Sequence, residues 1–145
     1  MSLNPLNEVK YRYRLAIDCL SRAERAFSNK DWVVTVSSSQ LAIGNFAKAI
    51  IAIFEIPTWS HDPSRQLEKL LNKMPSKVMD DIMLLAKLAK EIAPEHGRST
   101  YGEPDKGLIP SDIYKEGHAI DALNKAKKAK EIVEMVLKEF KIRID

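Results

Sequence analysis

Three histidines, His61, His96 and His118, are the side chains best suited to proton transfer or metal ligation near neutral pH. They fall on separate segments. No His-x-x-x-His pair sets two imidazoles on one helix face, so no metal site and no cofactor is expected. His61 precedes a helix start, where loop hydrogen bonds account for it, and His118 reads as a half-buried or surface residue. A denser group is Glu95, His96, Arg98 and Tyr101, which puts an acid, an imidazole, a guanidinium and a phenol close together. Arginine with tyrosine suits a phosphate or a base, although mixed polar segments are also common on plain surfaces. Gly97, Gly102 and Gly107 interrupt the same stretch and are expected to let backbone N–H groups face outward, with Arg98 as the fixed cation of a ligand-facing surface.

Other reactive residues read as structural. Ser37, Ser38 and Ser39 sit in a long apolar run, where a hydroxyl bonds a preceding carbonyl or faces a tight helix crossing. Cys19 has no cysteine partner in the chain, which excludes an internal disulfide and a thiolate-rich zinc site. No Gly-x-Ser-x-Gly elbow, P-loop or Gly-x-Gly-x-x-Gly sequence occurs, so serine hydrolases, nucleoside triphosphatases and dinucleotide enzymes lack their backbone machinery.

The elements that must position these residues are helices. Proline marks their ends, because it is tolerated in a first turn or past a terminus and not in an interior. Pro5 opens a first helix to about Ser28, with Tyr13, Ala16, Ile17, Leu20, Ala23 and Phe27 at steps of three and four. Asp31 is placed to cap a second helix, from Trp32 to about Glu55, that is apolar on nearly every side and therefore central. Gly44 within it implies a close helix crossing, inside the fold or across a dimer. Asp62-Pro63 starts a short third helix carrying Leu67, Leu70 and Leu71, and a fourth runs from about Lys77 to Ala93. The stretch from Pro94 to Pro110 has no apolar period and is expected to be a long loop, the kind that is usually functional or disordered. A fifth helix begins at Ser111 and continues to about Phe140. The reading is an all-α, up-and-down bundle of about five helices in one domain over residues 1–145.

Whole-chain properties narrow the function little. The 145 residues carry 23 Lys and Arg against 20 Asp and Glu, a net charge of +3 that is too slight to argue for nucleic acid. Lys125, Lys127, Lys128 and Lys130, like Lys10, Arg12, Arg14, Arg22 and Arg25, have acids nearby for spaced ion pairs. The most apolar stretch, Leu41 to Ile56, is interrupted by Asn45, Lys48 and Glu55, so no membrane span is expected. Asn4, Asn7 and Glu8 stand where a secretory signal would need other residues, and the expected location is the cytoplasm.

The segment Ser39-Gln40-Leu41-Ala42-Ile43-Gly44-Asn45-Phe46-Ala47-Lys48-Ala49-Ile50-Ile51, followed by Ser60-His61-Asp62, resembles the HEPN family (higher eukaryotes and prokaryotes nucleotide-binding). Gln40, Ala42, Lys48, Ala49 and His61 carry the likeness. The alanines 119, 122, 126 and 129 of the last helix, with Arg98 and Tyr101 before it, extend it over most of the chain. The resemblance implies a bundle similar to the substrate-binding helical domain of kanamycin nucleotidyltransferase, usually a homodimer. It also implies a partner nucleotidyltransferase of the minimal type, in a toxin-antitoxin-like or nucleotide-related role, or a metal-independent ribonuclease. The ribonuclease signature, Arg then four to six residues then His, is absent, and Gly44 stands where relatives often carry glutamate. The expectation is therefore a binding module without catalytic residues, for a nucleotide, RNA or a nucleotidyltransferase partner. Lys48, His61, His96, Arg98 and Tyr101 are its ligand-binding candidates. The alternatives are an endoribonuclease, which would need His61 or His96 brought near Arg98 across a dimer, and a dimeric scaffold with no small ligand.

Overall fold

The first helix, α1 (Pro5–Ser28), begins where Asn4 Oδ1 accepts the Leu6 N–H at 3.0 Å and proline takes the opening position, where its missing N–H costs nothing. The computed structural model describes residues 4–144. At the far end of α1, Lys30 adopts a positive φ and turns the chain. Asp31 then caps α2 (Trp32–Ile51) as the sequence implies, its Oδ1 accepting the Val34 N–H at 3.2 Å.

Helix α2 is the centre of the molecule. Ile43, Phe46, Ala47, Ile50 and Ile51 have no exposed surface, and α1, α4, α5 and α7 all pack on it. Full burial of each large side chain stabilises by about 1.5–3 kcal/mol, which explains why α2 is apolar on nearly every side. Tyr13 of α1 meets Phe46 edge to face at 6.0 Å, while its hydroxyl donates to Glu134 of the last helix. The helix ends at Ile51, before the expected Glu55. There the Ile53 and Phe54 N–H groups tighten onto the carbonyls of Ile50 and Ile51 three residues back, and Pro57 follows.

The remaining helices are α3 (Ser64–Lys69), α4 (Ser76–Ile92), α5 (Glu95–Tyr101), α6 (Pro110–Ile113) and α7 (Glu116–Glu139), with 3₁₀ turns at Leu71–Lys73 and Pro104–Lys106. Among the described residues there is no strand, only an isolated bridge between Glu103 and Leu108. The all-α bundle is as expected, and two elements differ from the reading.

The expected long loop after Pro94 holds α5 and a 3₁₀ turn. Two of its three glycine N–H groups do not face outward as expected: that of Gly102 donates to Arg98 O and that of Gly107 to Pro104 O. The expected fifth helix is two helices, because Tyr114 is extended, with ψ 128°. Its side chain is buried and its hydroxyl donates to Glu95. The Lys115 N–H finds a partner in His118 Nδ1 at 3.0 Å, which starts α7.

Gly44 also departs from expectation. A Cβ there would meet nothing closer than Gln40 Nε2 at 3.9 Å, an ordinary contact, so no close crossing demands glycine.

Candidate functional site

His61 and His96, 35 positions apart, stack face to face. Their ring centroids are 3.5 Å apart and their planes 20° from parallel. His61 comes from the turn between α2 and α3. Ser60 shapes that turn by accepting the Asp62 N–H on its hydroxyl at 3.0 Å while its own N–H donates to Thr58 Oγ1 at 3.1 Å. Gln66 of α3 clamps the preceding strand of chain, accepting the Thr58 N–H at 2.7 Å and donating to Ile56 O at 2.9 Å. The imidazole of His61 is thus presented from a braced turn.

His96 stands in the first turns of α5, leaning on α2. Gln40 Oε1 lies 3.2 Å from His96 Nδ1, a bond that leaves Nε2 as the ring's free nitrogen when Nδ1 carries the proton. Gln40 is only 3% exposed, a polar side chain inside the most apolar helix, and its amide is the reason for that placement. Burial, and then the neighbouring His61, hold the His96 pKa below the ordinary imidazole range. The pair is therefore an uncharged aromatic stack at neutral pH on the His96 side.

Arg98 is two residues on from His96, about 200° around a helix, and so projects from the opposite side of α5. There its guanidinium donates to Glu95 at 2.7 Å and to Glu103 at 2.9 and 3.1 Å, and it lies 5.9 Å from the centre of the Tyr114 ring. Burial works against its charge, but Glu103 and Glu95 raise its pKa above the usual guanidinium value. Bonds from Lys106 and Arg98 in turn hold the Glu103 carboxyl below the usual range. Two carboxylates surround one guanidinium, and together with Tyr114 they tie α5 to the 3₁₀ turn and to the start of α7.

Tyr101, at the end of α5, is 74% exposed. Lys48 lies elsewhere, half-buried on α2 next to Arg12. Burial and then the Arg12 charge lower its pKa. Arg12 itself is held by Glu8 at 2.9 Å and by Asn45 Oδ1 at 3.1 Å. Of the five candidate residues, the structure brings His61 and His96 together, sets Arg98 and Tyr101 on the same short helix, and places Lys48 with a different cation. Gln40, which the motif contains and the residue-by-residue reading passes over, is the missing member. Its signal was a buried-type position occupied by an amide, beside Ser39, whose hydroxyl has no partner among the described residues.

The basic clusters are compensated in part, with Arg12 on Glu8 at 2.9 Å, Arg22 on Asp18 at 2.9 Å, Lys125 on Asp121 at 3.1 Å and Lys128 on Glu131 at 3.5 Å. No described helix is long and apolar enough to cross a membrane. A family model described as the HEPN domain matches residues 9–141. No curated protein and no solved structure matches the chain.

Proposed function

The chain belongs to the HEPN domain family, and from that premise we propose that residues 1–145 form one binding module that takes a phosphate-bearing nucleotide or a short RNA segment without cleaving it. The stacked imidazoles carry this reading. His61 is exposed on its solvent side, so a nucleobase extends the stack as a third layer over a surface that Gln40 and the Ser60 turn hold in place. Tyr101, on the same short helix as His96, is an exposed ring for a neighbouring base. Arg98 serves as the brace of α5 through its two glutamates, and Lys48 with Arg12 supplies positive potential along α2.

The arrangement argues against cleavage within one chain. In-line transfer needs a base beside the 2′-hydroxyl and a cation at the phosphate, whereas these two rings occupy each other's faces and the Arg98 guanidinium is turned to the other side of α5, bonded to Glu95 and Glu103. HEPN domains often dimerise, and the proposed module is a cytoplasmic homodimer. A minimal nucleotidyltransferase as partner belongs to the same reading.

Calorimetric titration with mononucleotides and a short single-stranded RNA tests it. Wild type binds, and His61→Ala weakens binding about tenfold, since stacking one base contributes roughly 1–3 kcal/mol. Arg98→Ala lowers the melting temperature and leaves the affinity near wild type. RNA incubated with the protein and a chelator stays intact. Absence of any wild-type binding overturns the reading, and RNA cleavage abolished by His96→Ala replaces it with an endoribonuclease.

A further inference from the structure

Gly44 is an expensive residue for the middle of the central helix. Glycine loses more backbone freedom on folding than any other residue and supports a helix interior less well than alanine, yet no neighbouring backbone presses close enough to require it. A side chain there would fill empty space. Apart from α2's own backbone, the one heavy atom within 4 Å of a Cβ built at Gly44 is Gln40 Nε2, at 3.9 Å. Gly44 itself is buried, so the notch is small, with room for an atom or two and none for a ring.

Two side chains with unmet polar demand flank the notch. Gln40 is 3% exposed, and while its Oε1 takes the bond to His96, its Nε2 donates to no described residue. A buried amide N–H without a partner is the exception inside proteins. One turn beyond Gly44 stands Lys48, half-buried and in no ion pair among the described residues. The acids near this end of α2 do not compensate it: Glu8 bonds Arg12, and Glu55 forms no ion pair among the described residues. Asn45, by contrast, is satisfied, since its Oδ1 accepts from Arg12 and its Nδ2 donates to Leu41 O. Gln40, Gly44 and Lys48 follow at steps of four residues, about 6 Å each and within about 80° of one another, so they share one side of α2. The His96 bond joins that side to the imidazole stack.

The geometry points to the Gly44 notch as the phosphate subsite of the nucleotide site: a phosphate oxygen seats there, accepts the Gln40 Nε2 N–H and is neutralised by Lys48, while the base of the same nucleotide lies on His61. This rests on the nucleotide reading above and adds the groups that select a nucleoside phosphate over a nucleoside. A sugar hydroxyl would answer Gln40 but leave Lys48 uncompensated, whereas a phosphate oxygen is at once an acceptor for the amide and an anion for the ammonium. One helical step of about 6 Å from Gln40 to the notch matches the reach from a base, across its ribose, to its own phosphate. Glycine then has its reason, because alanine's methyl group would occupy the oxygen's place.

The test compares adenosine, adenosine 5′-monophosphate and the dinucleotide ApA by calorimetric titration of wild type, Lys48→Met, Gly44→Ala and His61→Ala. The monophosphate is expected to bind wild type about tenfold or more tightly than adenosine, as a charge-assisted contact allows. Lys48→Met removes that preference and leaves the adenosine affinity unchanged. Gly44→Ala weakens the monophosphate about tenfold although it melts higher than wild type, a combination that damage to the fold does not produce. His61→Ala weakens adenosine and the monophosphate alike. Lys48 dependence in the monophosphate alone assigns the notch to a terminal phosphate, and the same dependence in ApA extends it to the diester of a strand. Inorganic phosphate tests the notch without a base: the side-chain amide resonance of Gln40 moves, that of Gln66, already bonded to Ile56 O, stays, and Lys48→Met abolishes the shift. Equal wild-type affinity for adenosine and its monophosphate overturns the subsite. So does monophosphate binding that ignores Lys48→Met and Gly44→Ala but is lost in His61→Ala, a result that leaves the base platform standing. Phosphate moving Gln40 with no affinity for either nucleoside ligand keeps the notch as an anion site and removes the platform instead.

Discussion

Burial disfavours the charged form of His96 before His61 adds its like charge, so the imidazole titrates below its ordinary value near 6.5. An unfolded chain therefore takes the proton first. The pair favours folding fully above about pH 6.5, and that contribution is lost as pH falls toward the folded pKa. NMR titration of the imidazole carbons is expected to give a His96 midpoint below 6.5, moving upward in His61→Ala as the ring loses both its cover and its neighbour. A wild-type midpoint at or above 6.5 contradicts this account. Proximity of the two histidines was not legible in the sequence, since 35 residues and three segments separate them and neither has local spacing to the other. The acids of Arg98 were partly legible. Glu95 is three residues before it, within reach on one helix, but Glu103 meets it only because the chain folds back through the bridge at Leu108.

At the scale of elements, two glycines separate what the backbone requires from what it merely tolerates. Gly102 has φ +72°, and a Cβ there would stand 2.1 Å from Leu108 O, so the turn that brings Glu103 under Arg98 is closed to any side chain. Gly44 is helical and has ordinary space around it. Gly102→Ala is thus expected to cost about 2 kcal/mol or more, from backbone strain and the clash, and Gly44→Ala to stabilise by about 1 kcal/mol through helix propensity. Chemical denaturation of both variants beside wild type measures the two signs, and equal effects would refute the distinction. Neither role could be read from residue type. Long helices with many apolar turns declared themselves: α1 has the extent read from its period, and α2 and α4 differ only near their ends. Helix α5 did not, because seven residues with one buried member, Ser99, carry no period to read. The break at Tyr114 was hidden for a related reason: a tyrosine fits the apolar period of a helix while its hydroxyl is satisfied only by Glu95, a tertiary partner.

For the whole molecule, the bundle leaves its most apolar helix without a face to offer. Helix α2 is covered by α1, α4, α5 and α7, so its apolar surface is spent on the core of one chain. Gly44 is buried with it and cannot mediate a crossing between copies. A homodimer of this HEPN domain must then form through outer faces of the bundle. Sedimentation equilibrium at tens of micromolar is expected to give twice the 16.4 kDa chain mass. Raising the salt should not weaken the assembly, because screening relieves the mutual repulsion of two chains that each carry a net charge of +3. A single species at the chain mass rules out the dimer.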